Sequence, residues 1–189
     1  MERGEVPKAR EMAHLAFGQP LDGILQFAYT VDDIDRAMPI YTELLGVGPW
    51  FKRGPVSSGT LRYRGEPTDM ELTLARGFTG HSMVELIEQH NDSPSPFTET
   101  ISRVGHGFHH WGVGVDDIDA AVARFAASGY EVVLSDNLAS GAAVRYVDTT
   151  KDLPGMVELI EMNPAQERHY TSFHAASLAW DGKDPVRAG

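Results

Sequence analysis

The chain has 189 residues, 42% hydrophobic and 23% charged, with a formal net charge of −11, which suits one large or two small globular domains and opposes a nucleic-acid surface. It contains no cysteine, which excludes disulfides, thiolate catalysis and zinc-finger-type sites and leaves any metal to nitrogen and oxygen ligands. No apolar run approaches the roughly eighteen residues of a membrane span, and the charged start, Met1 to Arg10, is unlike a secretion signal, so a cytoplasmic protein with no membrane partner is expected.

Residues 1–23 read as an N-terminal extension and residues 24–90 as a first module. Ile24 to Val31 alternates and is rich in β-branched and aromatic side chains, which predicts a strand. Asp32 or Asp33 then caps a helix whose Ile34, Ala37, Met38, Tyr41, Leu44 and Leu45 share one face, and Gly46 ends it. Pro39 lacks the N–H its turn needs, which predicts a kink or an irregular first turn. Short strands are predicted at Trp50-Phe51, Leu61 to Arg64, Met70 to Arg76 and Met83 to Glu88, with Gly54 to Pro67 as a loop over one side of the sheet. Residues 91–107 form a linker, in which Phe97 to Val104 reads as a short helix.

A second module covers residues 108–163. It has a strand from His110 to Val115, a helix that turns Ile118, Ala121, Val122 and Phe125 inward before Gly129, and strands at Glu131 to Leu134, Ala142 to Val147 and Met156 to Glu161. The tail, 164–189, carries Tyr170, Phe173, Leu178 and Trp180 at helical spacing, suited to packing on the sheet or on a second subunit of a homodimer.

Two motifs recur in the same order. Val31-Asp32-Asp33-Ile34-Asp35 returns as Val115-Asp116-Asp117-Ile118-Asp119, and Met83-Val84-Glu85-Leu86-Ile87-Glu88 returns as Met156-Val157-Glu158-Leu159-Ile160-Glu161. The chain is therefore a tandem duplication of a βαβββ unit of roughly seventy residues, an α+β fold. Aligning the halves sets Gln26 opposite His110 and Glu85 opposite Glu158. Strand parity puts Gln26 with Ala28 and Thr30, and His110 with Gly112 and Gly114, so each large polar residue has small neighbours on its face. It also selects Glu85 and Glu158 over Glu88 and Glu161. Four such groups on one centre leave carboxylates buried and unpaired at considerable cost unless a cation joins them, so a divalent metal is expected. By the same parity His109 faces away, as a packing or hydrogen-bonding residue.

With these residues and motifs the chain resembles the vicinal oxygen chelate superfamily, which includes glyoxalase I, methylmalonyl-CoA epimerase, extradiol dioxygenases and bleomycin-resistance proteins. The resemblance covers about Ile24 to Asn163. It implies a curved, eight-stranded, barrel-like sheet around a metal held by Gln26, Glu85, His110 and Glu158, with Zn, Co, Ni or Mn all acceptable. The ligand set is similar to that of glyoxalase I, and Gln26 in place of a histidine counts against oxygen activation. Thr30 stands where a glutathione-gripping arginine is expected, which counts against glutathione. Ser93-Pro94 and Gly105-His106-Gly107-Phe108-His109-His110 are similar to the epimerase linker, which favours an acyl-CoA.

The resemblance implies an isomerase or epimerase that removes a proton beside a carbonyl or thioester through a metal-stabilised enolate. Glu158 is the expected base, and Glu85 delivers or receives on the opposite face. A lyase or cyclase acting on a larger intermediate, and a non-catalytic ligand-sequestering protein, are the alternatives. Tyr63 and Glu71 are candidates for a second acid or base. Arg62, Arg64, Arg76 and Arg103 are assigned no role, and His81, His90, His106, His169 and His174 show no site-like spacing.

Overall fold

The repeated Val-Asp-Asp-Ile-Asp segment is a strand-to-helix junction in both halves of the computed structural model, which describes residues 13–57 and 61–189. The first part of the expected N-terminal extension, and residues 58–60 of the expected loop, lie outside the described residues. In the first half, β1 (Ile24–Thr30) leads into α1 (Ile34–Leu45), then β2 (Trp50–Ser57), β3 (Arg62–Tyr63), β4 (Glu66–Pro67), β5 (Glu71–Thr79) and β6 (Ser82–Gln89). A connecting helix, α2 (Pro96–Val104), precedes β7 (Gly107–Val115), α3 (Ile118–Ala127), β8 (Glu131–Asn137), β9 (Ala143–Asp148) and β10 (Met156–Glu161). The chain continues with α4 (Pro164–Leu178) and β11 (Val186–Ala188).

All eleven strands form one curved, unclosed sheet in the order β11-β2-β5-β6-β1-β7-β10-β9-β8-β3-β4. Its central eight are the two modules laid side by side. β1 pairs antiparallel with β7 at the junction, and each is parallel to the closing strand of its own half, β6 or β10. Three strands exceed the eight expected. The described parts of the Gly54–Pro67 stretch are not a loop: its start extends β2, and Arg62–Tyr63, inside the predicted Leu61 to Arg64 strand, forms with β4 a hairpin that crosses to the other half and pairs with β8. The tail supplies the third, β11, which adds parallel to β2.

Alternation along the strands sorts the side chains into three clusters. Tyr29, Ala75, Val84 and Leu86 pack with Ile34, Met38 and Trp50 under α1, while Val113, Ala143, Val157 and Leu159 pack with Ile118 and Ala121 under α3. The opposite, concave face carries Leu25, Ala28, Met83, Ile87, Met156 and Ile160, and α4 covers it with Tyr170 and Phe173. Burying apolar area on both faces is what stabilises a sheet this wide. One expectation is corrected. Leu44 and Leu45 are 73% and 57% exposed, because the sheet-facing stripe of α1 ends at Tyr41 and Gly46 turns the chain immediately afterwards. Pro39 lies on the exposed side of α1, which continues through it to Leu45. Leu178 is 71% exposed at the end of α4.

The second aspartate of each repeat is the cap. Asp33 accepts the Arg36 N–H and Asp117 the Ala120 N–H, both at 2.9 Å. Asp33→Ala and Asp117→Ala should each lower stability by about 1 kcal/mol, and Asp32→Ala and Asp116→Ala by much less, as read from urea midpoints.

Candidate functional site

The β1–β7 junction brings Gln26, Glu85, His110 and Glu158 into one buried group on the concave face. Gln26 and His110 are 0% exposed, Glu85 1% and Glu158 6%. Their separation by glutamine and histidine on the central strands, and by glutamates on the flanking ones, follows from register. Ala28 is the Cα partner of both His110 and Glu85, and Gly112 the partner of both Gln26 and Glu158. A Cβ at Gly112 would lie 2.7 Å from the Gln26 Cβ, so glycine is required there for the glutamine to fit.

The Gln26 amide nitrogen lies 3.0 Å from Glu85 Oε2, 3.1 Å from Glu158 Oε2 and 3.2 Å from His110 Nε2. An amide NH2 has two hydrogens for these three acceptors, and the Gln26 Oε1 is buried without a partner. His110 Nε2 is also 3.1 Å from Glu158 Oε2. Glu85, His110 and Glu158 each offer a ligand atom within 4.8 Å of the others. The imidazole nitrogen and two carboxylates fit a divalent ion with nitrogen and oxygen preference, and the Gln26 amide, whose NH2 faces the centre here, would join them through its oxygen once turned over.

His109 fixes which nitrogen His110 presents. A register shift between Ala28 and Tyr29 bulges β7, so His109 does not face away as strand alternation predicts. Its Nε2 lies 3.1 Å from the Pro96 carbonyl and must donate, and burial first, then the neighbouring His110, hold its pKa down to about 3, so the ring is neutral. The His109 Nδ1 is therefore an acceptor. His110 Nδ1 donates to it at 2.8 Å, so Nε2 is the nitrogen that faces the centre.

Two residues assigned no role, or not singled out, complete the group. Arg76, the Cα partner of Glu85 across the β5–β6 hairpin, places a guanidinium nitrogen 2.6 Å from Glu85 Oε1. Tyr146 holds the equivalent place opposite Glu158, engages its carboxylate and stacks edge-on against His110 at 5.0 Å between ring centroids. Counting outward from the Gly80 turn gives the Arg76–Glu85 pairing directly, a signal available in the sequence. Tyr63 and Glu71 do not reach the group: the Tyr63 hydroxyl meets Glu99 and Arg64 beside α2, and Glu71 is exposed at the far end of β5.

The two carboxyls are driven in opposite directions. Burial lifts Glu85 above its ordinary pKa despite Arg76, with Glu158 adding to the rise. Burial also acts to raise Glu158, but His110, then Arg76 and the Tyr146 hydroxyl, outweigh it and hold that carboxyl below its ordinary value. The Tyr146 phenol is pushed far up by burial and by both carboxylates, so it stays protonated. Arg76→Met should destabilise the protein by about 3–5 kcal/mol at neutral pH by leaving Glu85 buried without its cation. Ionisation of a carboxyl whose folded pKa is raised opposes folding as pH rises through that value, so the variant should recover stability as pH falls, which denaturation midpoints across pH 4–8 would report.

Among the described residues, no helix is long and apolar enough to cross a membrane. A search of curated proteins gave no match. Among solved structures, methylmalonyl-CoA epimerase from Mycobacterium tuberculosis is similar at a TM-score of 0.55 and 17% identity, covering 76% of this chain and 90% of that one. A Streptomyces coelicolor methylmalonyl-CoA epimerase variant in complex with 2-nitronate-propionyl-CoA gives 0.57 and 18%, covering 77% and 97%. A hypothetical protein from Bacillus halodurans gives 0.54 and 20%, covering 75% and 94%. At these identities the likeness establishes the vicinal oxygen chelate fold. The family model for the glyoxalase/bleomycin resistance protein/dioxygenase superfamily matches residues 25–149. This chain belongs to that superfamily.

Proposed function

We propose that the protein is a metal-dependent isomerase or epimerase that moves a proton at the carbon beside a carbonyl or thioester. The observation that carries this reading is the convergence of Gln26, Glu85, His110 and Glu158 on one buried centre, with the two carboxyls tuned apart. Those four residues would hold the ion. A divalent metal there supplies Lewis acidity to a substrate oxygen.

The remaining chemistry belongs to the chain. Glu158, kept ionised, is the base that takes the proton. Glu85 lies across the centre from Glu158 and is positioned to return one from the other side. Arg76 limits the rise at Glu85, and Tyr146 orients Glu158 while remaining protonated. The apolar floor of Met83, Met156, Ile87 and Ile160 excludes water, which strengthens each of these electrostatic interactions. The substrate class, a small carbonyl compound or an acyl-CoA, is supported by the neighbours whose names include methylmalonyl-CoA epimerase.

Metal analysis by mass spectrometry, followed by solvent-deuterium incorporation into 2-methylacyl-CoA esters and small 2-substituted carbonyl acids, tests this. Wild-type protein should carry about one divalent ion per chain, and His110→Ala should lose it. Glu158→Gln should lower deuterium exchange by about 10²–10⁴-fold. Absence of bound metal after incubation with Zn, Co, Ni and Mn would sink the reading and make ligand sequestration the better one.

A further inference from the structure

Beside the buried quartet lies a cavity of about 390 Å³, within the range of small-molecule sites, walled by α4 and by the turn between β8 and β9. Arg76 belongs to both places: it lines this cavity and contacts Glu85 at 2.6 Å, and its Nε is buried with no partner. Arg53 lines the same cavity from β2 and, among the described residues, forms no ion pair. Tyr170, Gln166 and His169 of α4 and Ser140 of the turn complete the polar side-chain lining, Gly189 contributes main chain with its terminal carboxylate, and no aspartate or glutamate side chain takes part. The chain as a whole carries a net charge of −11, so a chamber with two guanidinium groups and no acidic side chain is an exception to its surroundings. The field registers at His169, whose imidazole is held below its ordinary pKa by burial first and then by Arg76 and Arg53.

We propose that this cavity is an oxyanion subsite: Arg53 and Arg76 hold a carboxylate or phosphate of the substrate, and α4 is the wall that sets how large the anionic end can be. The proposal rests on the isomerase reading above and narrows it, because Arg76 then links the group that binds the substrate to a carboxyl of the reacting centre. Arginine suits this task, since its planar fork of donors matches the paired oxygens of a carboxylate or phosphate, and the unpartnered Arg76 Nε is such a donor left free. A low-dielectric pocket of one sign also concentrates oppositely charged ligands at its mouth. α4 shapes this volume through Tyr170, which is buried against the concave core, and through Gln166, which accepts the Ser140 hydroxyl at 2.8 Å and ties the helix to the β8–β9 turn.

The test is calorimetric titration of purified full-length protein with succinate, inorganic phosphate and neutral succinamide, at low and moderate salt. Succinate, phosphate or both should bind and succinamide should not; which anion binds more tightly tells a carboxylate substrate from a phosphorylated one. Arg53→Met should weaken the preferred anion about tenfold and Arg53→Lys by less, and affinity should fall with added salt. Binding that is equal for succinamide, or unchanged in Arg53→Met, would overturn the subsite, as would no anion binding. Metal content and deuterium exchange, measured on the same preparations, separate the two claims. Arg53-dependent anion binding without metal or exchange supports the subsite and removes the isomerase; metal and exchange with anion binding indifferent to Arg53 removes the subsite alone.

Discussion

Everything at the centre of this molecule depends on the antiparallel pairing of β1 with β7. Neither half could build the site by itself, because each contributes one central and one flanking ligand candidate. The pairing places Ala28 between His110 and Glu85, and Gly112 between Gln26 and Glu158. Only small residues at these two crossing points let four large polar side chains occupy one layer of the sheet. A one-residue slip would exchange the two faces of β7 and turn His110 to the helix-covered side, so the register is fixed by the burial of Leu25 and Met83 as much as by backbone hydrogen bonds.

A polar quartet inside an apolar concave face carries a large desolvation cost, and the chain offsets it in layers. His109, neutral and anchored on the Pro96 carbonyl, sets the tautomer of His110, which connects the site to the first turn of α2. Arg76 neutralises part of the charge on Glu85, and Tyr146 engages Glu158. Of the five buried side-chain atoms left unsatisfied among the described residues, three gather here, the Gln26 carbonyl oxygen, Arg76 Nε and, by hydrogen-bond geometry, Glu85 Oε1, while Thr171 Oγ1 and His174 Nε2 lie on α4. Orphaned polar atoms that cluster at one place, in a structure whose other buried groups are mostly paired, mark where a ligand belongs.

Much of this was legible in the sequence because duplication converts one chain into an alignment of itself. The repeated motifs gave the junctions, the helices and the four polar residues, and period-two alternation chose the correct carboxylate in each closing strand. The same alternation failed at His109, because one extra residue in a bulge inverts a face and leaves no mark in composition. It failed at Leu44 and Leu45 because helical periodicity identifies a stripe but not where the supporting sheet ends beneath it. The strand at Leu61 to Arg64 was readable, but its pairing was hidden for another reason: the partner is β8, more than sixty residues away, and nothing local announces an edge-strand addition. Arg76 and Tyr146 needed hairpin register rather than strand parity, and register was countable only in the β5–β6 turn.

The departures from internal symmetry carry as much meaning as the symmetry. A perfectly duplicated site would give two carboxyls with the same neighbours. The first half opposes its glutamate with Arg76, and the second half opposes its own with Tyr146 and places it beside His110. Burial is nearly the same for both carboxyls, yet it prevails at Glu85 and is outweighed at Glu158, so the difference arises from which neighbours each one meets. Arg76 also opens this asymmetry to the exterior, because the side chain that moderates Glu85 forms part of the adjoining cavity wall. An anion held in that cavity, as proposed, would share the Arg76 guanidinium with Glu85, so the cavity and the buried quartet meet at one side chain.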